Sequence, residues 1–313
     1  MHARSTLGIE GVHLTAVAAA TVDEAAPIAA ETGARIAPDA AALCASRDVD
    51  LVVVATPTYL HAEHAIAAAR AGKHVFCEKP LARTREDAER IVRACDDAGV
   101  SLAVGHVVRY FPEYQSAKRM LDDGTLGRAA LVTLTRGNFA VGSTRGWYQD
   151  AAKSGGVVLD LMLHDLDTVR WWFGEPSHVY ARHARAGGGL EYALATLRFD
   201  DRPIVHIESS WAEHGGFRTG FELRAANGML VHDSRATSPF VVQAPGGSGP
   251  AMMASPTLSE SPYRRQLRDV FARVTAGQPP LVDGHEGLRT LALGLTVMES
   301  AETGRVIEWK APA

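Results

Sequence analysis

The chain has 313 residues, with 32 Lys+Arg against 36 Asp+Glu for a formal net charge of −4, and 46% of its residues are hydrophobic. At roughly 100–200 residues per domain that is enough for about two domains with sizeable cores. The near-balanced charge supplies neither a basic stripe for phosphate backbones nor a polybasic membrane patch, so nucleic acid and anionic lipid are not expected partners.

No apolar run reaches the roughly 18–20 residues of a membrane span, and the opening Met1-His2-Ala3-Arg4-Ser5 carries no signal or lipidation motif, so a cytoplasmic protein is expected. Cys44, Cys77 and Cys95 form no C-x-x-C pair and fall inside apolar or helical patterns, as core thiols do.

From residue 12 to residue 106, short apolar runs alternate with amphipathic stretches. Strands are predicted at Val12–Ala18, Leu51–Ala55, Lys73–Cys77 and Ser101–Gly105, with a weaker one at Arg35, and helices at 22–32, 39–46, 60–71 and 84–98. Gly33, Gly72 and Gly99 stand where helix C-caps need a left-handed residue, and Thr84 with Asp87 gives an N-terminal capping signal. Repeated strand–helix–strand order with strands as apolar as Leu51-Val52-Val53-Val54 implies a doubly wound parallel sheet covered on both faces.

After Tyr110 the rhythm changes to a helix at 111–123, a strand at 129–136 and, beyond Gly155-Gly156, a long helix at 159–173. Five strands follow at 178–185, 191–199, 203–211, 218–225 and 229–233. Their alternation, as in Ile204-Val205-His206-Ile207-Glu208, suits an open, largely antiparallel sheet with one wetter face. Ser234–Glu260, centred on Pro245-Gly246-Gly247-Ser248-Gly249-Pro250, has the composition of a surface loop, and helices at 260–276 and 285–302 close the chain. The expected fold is therefore α/β, a Rossmann-type first domain over 1–109 and an α+β second domain over 110–313.

Three groups of residues could do chemistry. Glu78-Lys79-Pro80 follows a candidate parallel strand, at the edge where open α/β sheets bind ligands, and a lysine there could stabilise a developing alkoxide or relay a proton. A solvated lysine after a strand would look the same. Asp160, His164 and Asp167 fall at i, i+4 and i+7, which on an α-helix puts two carboxylates and an imidazole on one face. That suits a base with an orienting acid, and equally a His–Asp pair capping a buried helix. His164-Asp165 alone could begin a metal site, but no further His and Asp set completes one. Thr56-Pro57-Thr58-Tyr59-Leu60-His61 is a polar turn after the most apolar strand, suited to a nucleotide or to a plain strand–helix loop. Trp171-Trp172-Phe173 reads as core.

Taken together, Ala55-Thr56-Pro57…His61, Glu78-Lys79-Pro80, Val104-Gly105-His106…Arg109 and Gly155-Gly156…Asp160-x-x-x-His164-Asp165 resemble the Gfo/Idh/MocA family of oxidoreductases, in order and spacing. Tyr263…Leu267…Asp269-Val270-Phe271 and Val282…Glu286-Gly287-Leu288 resemble its C-terminal pieces, so the likeness spans nearly the whole chain.

The resemblance implies a Rossmann domain for NAD or NADP and a second domain with an open sheet. It implies hydride transfer between the nicotinamide and a carbinol carbon of a sugar, cyclitol or related polyol. By resemblance Lys79 is the active-site lysine, His164 the proton acceptor and Asp160 its partner in binding hydroxyls. Thr21, Thr56, Pro57, His61, Glu78, Lys79 and His106 are implied at the cofactor, and Lys79, Arg109, Trp147, Asp160 and His164 at the substrate, in a crevice where Lys79 and His164 converge. Met162 stands where relatives often carry a small residue, which would narrow that pocket. Homodimers or homotetramers packed through the open sheet are expected by fold analogy.

The chain departs from the family pattern in two places. It carries no first strand with G-x-G-x-x-G, the loop that brings backbone amides to a pyrophosphate. Met1–Leu7 resembles the helix just after that loop, so an N-terminally incomplete sheet is expected, with unpaired edges beside the central position, as a late start or a fragment would give. Where the family often carries an acid for the adenosine ribose, this chain reads Ala18-Ala19-Ala20-Thr21, which leaves NAD and NADP both open. Two other classes fit the same residues: NAD-dependent glycoside cleavage, and a cofactor-deficient sugar-binding or oligomerising homologue.

Overall fold

Leu51-Val52-Val53-Val54 and the glycine-capped helices around it shape the first half of the chain. The computed structural model describes residues 1–139, 146–186, 189–201, 203–236, 240–243, 251–252 and 260–312. Two units result: Met1–Val107 with Ser259–Leu288, and Val108–Leu258 with Arg289–Ala313.

The first unit opens with α1 (His2–Thr6), β1 (Ala16–Val17), α2 (Val22–Thr32), β2 (Arg35–Ile36) and α3 (Ala40–Cys44). It continues with β3 (Leu51–Val54), α4 (His61–Arg70), β4 (His74–Cys77), α5 (Arg85–Ala98) and β5 (Leu102–Val104). The capping signals form as expected: the Thr84 hydroxyl accepts from the Asp87 amide at 3.2 Å, and Gly33 and Gly99 end α2 and α5 in the left-handed region.

All strand pairs in this unit are parallel, in two separate sheets, β1-β2 and β3-β4-β5. Among the described residues β1 pairs with β2 alone and β3 with β4 alone. The strand predicted at Val12–Ala18 shrinks to Ala16–Val17, since only those two residues find a partner, while Val12 packs into the core instead.

The second unit begins with α6 (Pro112–Asp122), β6 (Ala129–Gly137) and the short α7 (Ala151–Ser154). A π-helical turn at Val158–Met162 then leads into α8 (Leu163–Phe173). The sheet strands are β7 (His178–Ala186), β8 (Leu190–Arg198), β9 (Ile204–Ser210), β10 (Arg218–Ala225), β11 (Gly228–Asp233), β12 (Phe240–Gln243) and β13 (Ala251–Met252). The last two replace part of the loop expected over 234–260, because Phe240–Gln243 pairs along β11. The Pro245–Pro250 run lies outside the described residues.

Beyond these, α9 (Pro262–Thr275) returns to the first unit, α10 (Gly284–Thr303) starts there and continues into the second, and β14 (Ile307–Glu308) pairs with β7. The nine strands run β13-β12-β11-β10-β6-β9-β8-β7-β14, antiparallel except for β6 beside β9. One face carries Val179, Ala181, Ala193, Ala195, Leu197, Val205 and Ile207, all buried with Leu163, Leu166 and Val169 of α8. The other face is partly open, with Tyr180, Tyr192, Leu194 and Ile204 exposed and Thr196, His206 and Glu208 half-buried.

The return of α9 modifies the expected division at 109/110. Leu267 and Val270 of α9 complete the core formed by Ile9, Phe76 and Ala103, and the Val104 amide donates to the Val282 carbonyl at 2.9 Å. The first unit is thus discontinuous in sequence.

Candidate active site

Because β3, β4 and β5 are parallel neighbours, the turns that leave their carboxyl ends share one sheet edge: Ala55-Thr56-Pro57, Glu78-Lys79-Pro80 and Gly105-His106. The ladder runs on into two of them, with the Glu78 amide donating to Val54 O at 2.9 Å and the Gly105 amide to Cys77 O at 2.8 Å.

Glu78 anchors this edge. Its Oε1 lies 2.6 Å from His2 Nε2, and its Oε2 accepts from the Lys79 backbone amide at 2.9 Å. Burial pushes the carboxyl up, but the His2 hydrogen bond and the charges of His2 and Lys79 outweigh it, so Glu78 titrates below its ordinary value. A Cβ at position 105 would lie 2.9 Å from Glu78 Oε2, so glycine there leaves the carboxylate its place.

The Lys79–Pro80 peptide is cis. His61 holds the far side of that turn: Nδ1 is 2.8 Å from Pro80 O and Nε2 2.9 Å from Thr56 O. Its ring is 1% exposed, and burial lowers its pKa against the pull of the two carbonyls. The expectation that the His61 side chain meets the cofactor gives way to this finding. Both ring nitrogens face carbonyls inside the protein, and the neutral ring donates its one N–H to either the Thr56 or the Pro80 carbonyl.

Thr21 has a local role as well, its hydroxyl capping α2 by accepting from the Glu24 amide at 3.3 Å. Thr56 Oγ1 is buried with no hydrogen-bond partner. A buried hydroxyl left unpaired at a ligand-binding strand edge fits a polar group of a bound nucleotide. His106 is 1% exposed behind the same edge. This edge therefore fits the nicotinamide end of a dinucleotide, whereas the 313 residues contain no G-x-G-x-x-G loop for its pyrophosphate.

The second unit carries the other set. Gly155 and Gly156 both have positive φ (79° and 65°), and a Cβ at Gly156 would come within 2.5 Å of Glu191 Oε2. That carboxylate accepts from the Val157 amide at 2.8 Å, capping the start of the π turn. Asp160 sits within the turn, where its Oδ2 accepts from the Trp211 indole N–H at 3.1 Å. Trp211 is 2% exposed and its amide donates to the Glu191 backbone carbonyl at 2.8 Å, so the residue just after β9 ties the Asp160 carboxylate to the β8 backbone. Met162 is fully buried, in the core rather than on a pocket wall.

Of the expected face of Asp160, His164 and Asp167, Asp167 turns inward, while Asp160 and His164 are both half-buried. The π turn over Val158–Met162 carries Asp160 and runs directly into α8, where His164 follows one turn later. Asp167 is fully buried and binds Arg109 through both oxygens, at 2.8 and 2.9 Å. Arg109, expected at the substrate, is thus a structural partner of α8 with 4% exposure, and lies 5.9 Å over the Trp171 ring.

Asp165 pairs in the same way with Arg136 of β6, at 2.7 and 2.9 Å. Burial pushes its carboxyl up, with the guanidinium opposing. Among the described residues no group of three or more His, Cys, Asp or Glu is placed to hold a metal. Trp147 is half-buried on a short turn, its ring stacked on Tyr148 at 4.0 Å.

The sequence reading missed His2, Glu191 and Trp211. Only Trp211 carried a signal, as a large polar-tipped aromatic at the end of an alternating strand.

The family model described as "Oxidoreductase family, NAD-binding Rossmann fold" matches residues 1–106, and that of the "GFO/IDH/MocA C-terminal domain" matches residues 114–231. The chain belongs to the Gfo/Idh/MocA family. Within it, the 1,5-anhydro-D-fructose reductase of Ensifer adhaerens is 31% identical over 267 residues, 83% of this chain and 80% of that protein. Inositol 2-dehydrogenase 2 of Saccharopolyspora erythraea is 31% identical over 310 residues, 96% of this chain and 88% of that protein. Levoglucosan dehydrogenase in complex with NADH and L-sorbose shares the fold with a TM-score of 0.90, covering 99% of this chain and 95% of its own at 22% identity. The β3-β4-β5 edge thus belongs to the Gfo/Idh/MocA NAD-binding domain, and the nine-stranded sheet is the main part of its C-terminal domain. No helix among the described residues is long and apolar enough to cross a membrane.

Proposed function

We propose that this protein transfers hydride between a nicotinamide nucleotide and a carbinol carbon of a sugar, cyclitol or related polyol. The observation that carries the reading is the fixed Lys79, its backbone amide bound to Glu78 at the ligand-binding edge of an NAD-binding sheet. The named activities of the relatives above support the substrate class.

Bound nicotinamide supplies the hydride acceptor or donor. Thr56, Pro57, Glu78, Lys79 and His106 serve that end of the nucleotide. His164 accepts the hydroxyl proton as the carbinol is oxidised and returns it on reduction. The Lys79 cation stabilises the negative charge that develops on the oxygen, and Asp160, held by Trp211, binds neighbouring hydroxyls. Either NAD or NADP serves, because Ala18-Ala19-Ala20-Thr21 carries neither an acid to repel a 2′-phosphate nor an arginine to bind one.

A nicotinamide enzyme of this kind works in the cytoplasm. Copies associate as a dimer or tetramer through the exposed sheet face, where Tyr180, Tyr192, Leu194 and Ile204 are 36–51% exposed.

The test is a panel of inositols, hexoses and anhydrosugars incubated with NAD⁺ or NADP⁺, following absorbance of the reduced nicotinamide. Turnover of at least one polyol supports the proposal. Binding of polyols with no oxidation, and no reduction of their ketones, overturns it.

A further inference from the structure

We infer that His2 is a positioning residue for Lys79, acting through Glu78; this rests on the reading of Lys79 as an active-site group. The two residues are 76 positions apart, yet His2 Nε2 and Glu78 Oε1 are separated by 2.6 Å, the length of a charge-assisted bond. Their side chains are 10% and 19% exposed.

Two aromatic rings hold the imidazole. Phe76 lies 5.3 Å from it at 60°, and Tyr263 lies 6.1 Å away, edge-on at 76°. His2 is therefore a fixed donor, carried by α1 and wedged between β4 and α9.

The chain of contacts ends at the lysine. Glu78 has two oxygens, one for His2 and one for the Lys79 amide, and Gly105 borders the second. A carboxylate held at both oxygens keeps one rotamer, and with it the direction in which the backbone of Lys79 leaves the strand. The charged and titratable groups around Glu78 include His2, Lys79, Cys77 and His61, with the Tyr263 phenol beside His2. Without the His2 donor, Glu78 keeps its charge but loses its main compensation, and that charge then acts on the Lys79 ammonium. The result is a lysine that points less consistently and lies beside an uncompensated carboxylate.

The experiment reads Lys79 itself, in the full chain without cofactor, as the rate at which an amine-reactive ester acylates it across pH, followed by peptide mass spectrometry. His2→Leu is expected to slow the labelling about threefold to tenfold, because the released carboxylate can turn onto the amine. His2→Gln, which places a donor near the same point, is expected to restore the rate to within about twofold of wild type. Glu78→Gln, which removes the charge, is expected to shift labelling the opposite way, and serves if His2→Leu fails to fold. In parallel, His2→Leu should lower kcat, with His2→Gln recovering it.

Unaltered labelling in His2→Leu, or a His2→Gln variant as impaired as His2→Leu, overturns the positioning role. Absence of hydride transfer in the wild type overturns the reading of Lys79 instead, and the labelling result is independent of it.

Discussion

Arg109 and Asp167 form a buried two-pronged ion pair, Nε to Oδ2 at 2.9 Å and Nη2 to Oδ1 at 2.8 Å, and the Thr290 hydroxyl adds a third contact to Oδ1 at 3.3 Å. Two residues earlier on α8, Asp165 is held the same way by Arg136. The helix that carries His164 is therefore clamped by two guanidinium groups from different elements of its unit. The base proposed at His164 thus stands on a helix with little freedom to drift.

Breaking one clamp should be costly. Asp167→Asn leaves the Arg109 charge buried beside a neutral amide, and is expected to lower stability by about 3–5 kcal/mol. Urea unfolding monitored by circular dichroism measures this. Replacing both partners, Arg109→Met with Asp167→Leu, should recover most of the loss, because no unpaired charge remains. A single-variant loss below about 1 kcal/mol would be the behaviour of a surface pair and would contradict the clamp.

Trp211→Phe keeps an aromatic ring but removes the N–H that reaches Asp160 Oδ2. With Asp160 less firmly oriented, KM for the polyol is expected to rise about tenfold, the worth of one hydrogen bond to a charged group, while KM for the nucleotide stays as it was. Steady-state kinetics with each substrate varied in turn separates the two. Equal changes in both constants would show that Trp211 serves the fold rather than Asp160.

Glu78 makes stability depend on pH in a definite direction. Its carboxyl is held below the ordinary value of about 4.3, so the folded state binds that proton less readily than the unfolded chain. Its contribution is fully present above pH 4.3 and is lost as the pH falls through the lowered value. Glu78→Gln should therefore cost about 1 kcal/mol at neutral pH, with the gap to wild type closing in acid. Chemical denaturation at a series of pH values from neutral to acid tests this, and a gap that widens in acid would contradict it.

The sequence made visible what is written locally. Thr84 with Asp87 and the glycines at 33 and 99 mark helix ends, and Leu51–Val54 announces a buried parallel strand, because caps and periodicity depend only on near neighbours. The motifs Glu78-Lys79-Pro80 and Asp160…His164 were legible for the same reason.

What stayed hidden was the choice of partner. Arg109 beside a strand-end motif reads as a substrate contact until Asp167, 58 residues on, is found to hold it. His61 reads as a nucleotide contact until two carbonyls occupy its ring. The π turn is equally non-local in origin: a positive-φ glycine pair and a carboxylate from β8 set it. Phe240–Gln243 is too short a run, in too glycine- and proline-rich a stretch, to announce β12 before β11 supplies its ladder.

The most direct test of hydride transfer by this protein uses a turned-over polyol deuterated at its carbinol carbon, with the nicotinamide product analysed by mass spectrometry. Deuterium should appear in the reduced nicotinamide, and its rate of transfer should fall about a hundredfold or more in Lys79→Ala and in His164→Ala, the usual scale for losing a proton-transfer or charge-stabilising group. A polyol that is bound or cleaved with no deuterium reaching the product, or transfer undiminished in both variants, would contradict the account.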